Sequence, residues 1–170
     1  DVLVGDVWLC SGQSNMHFRL SSDANAQKEI ASANQPELRF FTVGDQFARQ
    51  PMTTLSGSWK PVSPATAADC SAVAYYFGKE LQHRLGVPVG LLVSTIGGTR
   101  IETWMRPETL AATGVSAPLI EKWNNIPPDG FEKIVTTYRA YQKQRDQEHP
   151  QAVREAQAKG APVPPVPPMP

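Results

Sequence analysis

Apolar residues gather along this chain in two kinds of run. Val7-Trp8-Leu9-Cys10 and Val89-Gly90-Leu91-Leu92-Val93-Ser94 are short and nearly continuous, and each breaks into small or polar residues. The breaks are Ser11-Gly12-Gln13-Ser14-Asn15 in one case and Thr95-Ile96-Gly97-Gly98-Thr99 in the other. Runs of this kind, bounded by turn residues, predict strands buried on both faces, as in parallel sheets. Glu37-Leu38-Arg39-Phe40-Phe41-Thr42-Val43 has strand composition as well. Helical spacing is clearest behind Asp69, where Ala72, Val73, Tyr76, Phe77, Leu81 and Leu85 share one face until Gly86 and Pro88 stop the helix. Residues 22–33 have the polarity of an exposed helix capped by Ser22 or Asp23. Residues 46–68 are polar and aperiodic, a loop layer with one short extended piece at Trp59-Lys60-Pro61-Val62.

Strand, small-residue turn and helix, repeated, predict an α/β fold with a parallel sheet and flanking helices. The strands expected near residues 7–10, 38–43 and 89–94 are fewer than the roughly four to six of an ordinary sheet, so the sheet is expected to be incomplete. Beyond Ser116 the strand signals vanish. Residues 117–125 read as a short helix and 131–159 as a long charged one, with Ile134, Val135, Tyr138 and Tyr141 as a narrow apolar stripe and a break or kink near His149 before Pro150.

The chain has 170 residues, 16 basic and 16 acidic, for a formal net charge of zero. That balance argues against a nucleic-acid or membrane-surface partner, since neutralising a phosphate lattice needs a basic excess. No stretch approaches the roughly 18–20 consecutive apolar residues of a membrane span. Two cysteines, Cys10 and Cys70, are too few for a disulfide scaffold or a zinc cluster and read as small buried hydrophobes; a bond between them turns on their separation. Three scattered histidines and unclustered carboxylates show no metal-ligand spacing, and neither metal nor cofactor is expected.

In open α/β sheets, ligands bind outside the carboxyl ends of the strands, where both small-residue turns lie. Ser14 there either caps the following helix or presents its hydroxyl beside backbone N–H groups aimed at an oxyanion. Gly97-Gly98-Thr99 lacks the lysine and length of a phosphate-binding P-loop.

Gly5-Asp6-Val7-Trp8-Leu9-Cys10-Ser11-Gly12-Gln13-Ser14-Asn15-Met16 resembles the nucleophile block of the sialate O-acetylesterase family, carbohydrate deacetylases within the SGNH (GDSL-like) hydrolases. Gly97-Gly98-Thr99-Arg100-Ile101-Glu102-Thr103-Trp104 is similar to that family's segment after the next core strand, and Ser71-Ala72-Val73-Ala74-Tyr75-Tyr76-Phe77-Gly78 fits its intervening helix. The resemblance implies a three-layer, flavodoxin-like SGNH fold and a serine esterase acting on acetylated sugars through an acetyl-serine. Ser14 matches the nucleophile. The backbone N–H of Gly97, favoured over that of Gly98, would serve the oxyanion hole, and Gln13, Asn15, Gly98 and Thr99 would touch substrate or brace the turn. On this basis residues 1–130 are expected to be the N-terminal part of the esterase domain, 131–159 a charged helical insertion and 160–170 a proline-rich linker. An exported setting, secreted, periplasmic or lysosomal, is also implied.

The family's histidine, in an Asp-x-x-His-like or Asp-x-His-Pro element, and its oxyanion asparagine, in a Gly-Glu-Ser-Asn-like stretch, have no clear counterpart in these residues. They are expected on the remainder of the same polypeptide or on a complementary chain. Asp146-Gln147-Glu148-His149 has the spelling of such a dyad but sits in a charged helix without a core strand leading into it. His17 is expected to face along its helix axis and His83 to be a surface residue. The competing expectation is a catalytically silent binding or assembly fragment.

Overall fold

The computed structural model describes residues 1–44, 46–114 and 116–168, so the last two positions of the expected linker, Met169 and Pro170, lie outside the described residues. The chain forms two compact units, Asp1–Met105 and Arg106–Pro170.

The first unit is built on β1 (Asp6–Gly12), β2 (Gln35–Thr42), β3 (Lys60–Val62) and β4 (Val89–Thr95), in the spatial order β1-β4-β2-β3. β4 runs parallel to both β1 and β2, as the apolar runs predict. The extended piece near residue 60 is a fourth strand, antiparallel to β2, which makes the sheet mixed and corrects the expectation of three strands. Its three residues include Lys60 and Pro61, which suit an edge because proline cannot donate to a ladder and lysine resists further pairing.

Paired on both sides, β4 alternates buried and half-buried positions, with Val89, Leu91, Val93 and Thr95 turned into the core. Leu38 and Phe40 of β2 join them. α3 (Ala72–Leu85) lies on this face through Ala74, Tyr75 and Gly78. A Cβ at Gly78 would stand 2.8 Å from both Leu38 Cδ1 and Leu91 Cδ1, so the missing side chain sets how closely helix and sheet approach. Burying a side chain the size of Leu or Phe contributes about 1.5–3 kcal/mol, and Tyr75, Phe40, Leu20, Leu38 and Leu91 are all fully buried.

The helix expected over 22–33 is shorter, α2 (Ala26–Ser32), with Asn25 and not Ser22 or Asp23 at its N-cap position, and a single 3-10 turn at Leu20–Ser22 precedes it. Polar contacts bind this region to α3. Tyr75 donates its hydroxyl to Glu29 at 3.1 Å, Lys79 meets the same carboxylate at 2.7 Å, and Tyr76 donates to Asp23 at 3.0 Å.

β1 differs from the strands inside the sheet. Val7 and Leu9 on one face are 66% and 67% exposed and Trp8 on the other is 43% exposed, although parallel strands are normally covered on both faces. Among the described residues no strand pairs with its outer edge.

The second unit is helical: α4 (Pro107–Ala112), α5 (Ala117–Asn124), α6 (Pro128–Lys143) and α7 (His149–Ala158), with a π-helical turn at Gln144–Glu148 joining the last two. The break expected near His149 therefore takes the form of a π turn inside a continuing helix. Pro150 has no N–H to return to the preceding turn and its ring crowds the carbonyl there, which the wider turn accommodates. No described helix is long and apolar enough to cross a membrane.

Candidate active site

β1 ends at Gly12, and after Gln13 the chain enters α1 (Ser14–His17), a single turn closed by the His17 N–H on the Gln13 carbonyl at 2.9 Å. Gln13 occupies the N-cap position, so Ser14 is the first helical residue and not the cap. The amides of a first turn have no partner within their own helix, which turns them toward whatever sits beyond it. Ser14 is exposed, and its hydroxyl donates to Gln13 Oε1 at 3.5 Å, the outer limit of a hydrogen bond.

The parallel ladder brings the second turn alongside. Gly12 pairs with Thr95 at the ends of β1 and β4, and the Ile96 N–H continues the register onto the Gly12 carbonyl at 3.2 Å. One residue later, Gly97 lies directly against the serine: a Cβ built on it would stand 3.8 Å from Ser14 Cα and 3.9 Å from Ser14 Cβ. Gly98 is exposed and takes a left-handed φ of 79°, a conformation that glycine adopts without steric cost.

Thr99 has a bracing role in this loop. Its hydroxyl donates to the Ile96 carbonyl at 2.8 Å and accepts from Trp104 Nε1 at 2.9 Å. Asn15 is exposed on α1. The structure thus gathers Gln13, Ser14, Asn15, Gly97, Gly98 and Thr99 at the carboxyl ends of two adjacent parallel strands.

Asp146 and His149 lie in the second unit. Both carboxylate oxygens of Asp146 receive hydrogen bonds from Arg145, at 2.6 and 2.8 Å, and His149 Nε2 lies 3.1 Å from the Pro164 carbonyl oxygen. His83 is exposed on α3.

His17 does not simply face along the axis of α1. Its Nδ1 reaches across to Thr95, 3.0 Å from Oγ1 and 3.3 Å from the carbonyl oxygen. Met16 packs onto the core on the other side, and its Sδ accepts from Ser71 Oγ at 3.6 Å. Sequence reasoning passed over Ser71 in this role, although a serine before the apolar spacing of α3 is the signal of an N-cap; its Oγ accepts from the Ala74 N–H at 3.2 Å.

Beside α1, Trp8 and Cys10 of β1 face Val73 and Phe77 of α3 across an apolar groove of about 250 Å³ that Met16 also lines. Trp8 and Phe77 meet edge to face with centroids 5.3 Å apart. Cys10 and Cys70 are both buried free thiols. Burial pushes the Cys70 thiol up to about 12, with a further contribution from Cys10, and burial raises Cys10 as well. Among the described residues, no three His, Cys, Asp or Glu side chains gather in a way that could hold a metal ion.

A serine at a strand-to-helix turn, beside a glycine loop at the carboxyl edge of a mixed α/β sheet, is the arrangement of an SGNH-like hydrolase. The family model described as carbohydrate esterase, sialic acid-specific acetylesterase, matches residues 4–146, and the chain belongs to that family. It is 41% identical over 127 residues to the sialate O-acetylesterase of Mus musculus, covering 68% of this chain and 23% of that protein. With the Homo sapiens sialate O-acetylesterase the identity is 38% over 138 residues, covering 76% of this chain and 25% of the human protein. Among solved structures, a carbohydrate acetylesterase from Xanthomonas citri is similar at a TM-score of 0.64 and 45% identity, over 65% of this chain and 26% of that one. The chain therefore spans about a quarter of the length of the relatives it matches.

Proposed function

We propose that this chain carries the nucleophile half of a carbohydrate O-acetylesterase. Ser14 Oγ gives its proton to a base and attacks the carbonyl carbon of an acetyl ester on a sugar hydroxyl; the C–O bond to the sugar breaks as that proton passes to the sugar oxygen, and the acetyl group remains on Ser14 until water hydrolyses it. The names of the relatives point to acetylated sialic acid as the substrate class. The negative charge that develops on the acetyl oxygen is met by the Ser14 N–H and a backbone N–H of the Gly97–Gly98 loop, a kind of donor worth about 3–4 kcal/mol in other hydrolases. The nearness of Gly97 to Ser14, whose Cα and Cβ lie 3.8 and 3.9 Å from where a Cβ at Gly97 would stand, supports this reading by bringing the second turn beside the serine.

A serine hydroxyl needs a base to take its proton. We assign the base and the asparagine donor to polypeptide outside these residues. Two observations support that assignment: the coverage of about a quarter of the relatives, and the uncovered faces and edge of β1.

Two measurements test the reading. The 170-residue chain alone is expected to hydrolyse p-nitrophenyl acetate no faster than its Ser14→Ala variant; serine-dependent turnover at enzymatic rates would show that the base lies within these residues. In an active enzyme containing this sequence, a fluorophosphonate probe should label Ser14, and labelling elsewhere would remove the nucleophile assignment.

A further inference from the structure

We propose that His17 is the positioning residue of the nucleophile turn. Its imidazole, held on Thr95 at the end of β4, keeps α1 in place against the loop that carries Gly97. The proposal rests on the reading of Ser14 as the nucleophile, and it gives a role to a residue that the acetyl-transfer chemistry does not otherwise use.

α1 cannot hold its own geometry. It has four residues and no side-chain cap at Gln13, and a single turn fixes several dihedrals for one hydrogen bond, which is unfavourable in isolation. Its shape must be imposed from outside. The chain entering it is fixed by the Ile96 N–H on the Gly12 carbonyl. The chain leaving it is fixed by the Ala72 N–H on the Phe18 carbonyl at 2.8 Å and the Leu20 N–H on the Cys70 carbonyl at 2.9 Å.

Pinning the two ends leaves the rotation of the turn about its own axis open, and that rotation decides where Ser14 Oγ and the Ser14 N–H point. Met16 draws one side of the turn toward Ser71 and α3. His17 draws the other toward Thr95, two residues before Gly97. Thr95 is only 7% exposed, so water has little access to replace the imidazole on its hydroxyl. Either ring tautomer serves: a protonated Nδ1 donates to the threonine oxygens, and an unprotonated one accepts from the hydroxyl. His17 thus acts on the acetyl group through the orientation of Ser14 and not by touching it.

Amide hydrogen exchange on the 170-residue chain tests this without requiring turnover. The reporters are the Ile96 N–H, bonded to Gly12, and the N–H at position 17, bonded to Gln13. The Leu91 and Val93 amides in the middle of β4 report overall stability. Replacing His17 by Leu is expected to speed exchange at both reporters about fivefold, the worth of one ordinary hydrogen bond, with Leu91 and Val93 unchanged. His17→Asn places a polar atom at the same distance along the side chain as Nδ1 and is expected to restore protection. Thr95→Val should reproduce the effect of His17→Leu, and the double variant should add nothing to either. Unchanged reporters in His17→Leu, an equal rise at Leu91 and Val93, or no restoration by Asn would each overturn the proposal. Fluorophosphonate labelling fails separately: an active enzyme whose Ser14 stays unlabelled removes the nucleophile reading and leaves the measured tether standing.

Discussion

Replacing Ser71 by Ala perturbs the support of the candidate site at one atom. Ser71 is 4% exposed, and its Oγ accepts from the Ala74 N–H at 3.2 Å while donating to Met16 Sδ at 3.6 Å. Loss of a serine N-cap costs about 1 kcal/mol. Here the orphaned donor cannot turn to water, because Ala74 is 1% exposed, and a buried unsatisfied N–H adds roughly another 1 kcal/mol. The contact with sulfur is weak and adds little. The expected total is about 2 kcal/mol, a change of roughly thirtyfold in the folding equilibrium. Urea unfolding followed on the methyl resonances of Leu38 and Leu91 isolates the first unit. Met16→Leu, which keeps the volume and loses only the sulfur, should cost less than about 1.5 kcal/mol. A Ser71→Ala variant within about 0.5 kcal/mol of the parent would show that the cap carries no weight here.

Further outcomes follow from the same unit. Gly78→Ala gains about 1 kcal/mol of helix propensity but drives a methyl to within 2.8 Å of Leu38 and Leu91, both fully buried; overpacking of about 1–3 kcal/mol should win, and a raised Tm would contradict it. The hydrogen bond from Lys79 holds the Glu29 carboxyl below its ordinary range, with Tyr75 contributing in the same direction. Stability from this group is present above the carboxylate range of the unfolded chain and is lost as pH falls through the lower folded value. Glu29→Gln should therefore destabilise the chain by about 1 kcal/mol at pH 7, and the gap should close in acid. A gap that persists unchanged in acid would rule out the charge as its source. Cys70, pushed up to about 12 and buried, should resist iodoacetamide at pH 8 until urea is added; mass spectrometry showing equal modification in both conditions would refute its burial.

What could be read from the sequence followed from period and punctuation. Two apolar runs ending in small residues locate β1, β4 and both turns of the site; burial on both faces, expected of both strands, is not met by β1, whose Val7, Trp8 and Leu9 are exposed. β3 was legible only as an extended piece, since three residues with a proline carry too little pattern to mark a ladder. The π turn was foreseeable as a disturbance before Pro150, but not as a helix that continues. His17 departs from the direction its local spacing predicts for a physical reason: its ring meets Thr95, which is 78 positions away in sequence. Local spacing holds no record of such a partner. Gln13 takes the cap position that local pattern leaves open to Ser14, because that assignment depends on dihedral angles that composition does not reveal.

The pairing of Asp6 with Val89 has a consequence for when the site comes into being. Ser14 leaves the ribosome well before the groups outside α1 that hold its turn, from Ser71 to Gly97. At the usual 5–20 residues per second, the serine waits roughly 4–16 seconds for β4. Until then β1 lacks the strand it pairs with among the described residues, and closing a loop of roughly eighty residues carries an entropic cost that must be met before that pairing forms. The site around Ser14 is therefore assembled only once β4 has been made, and a nascent chain interrupted before β4 holds the serine without the Gly97–Gly98 loop beside it.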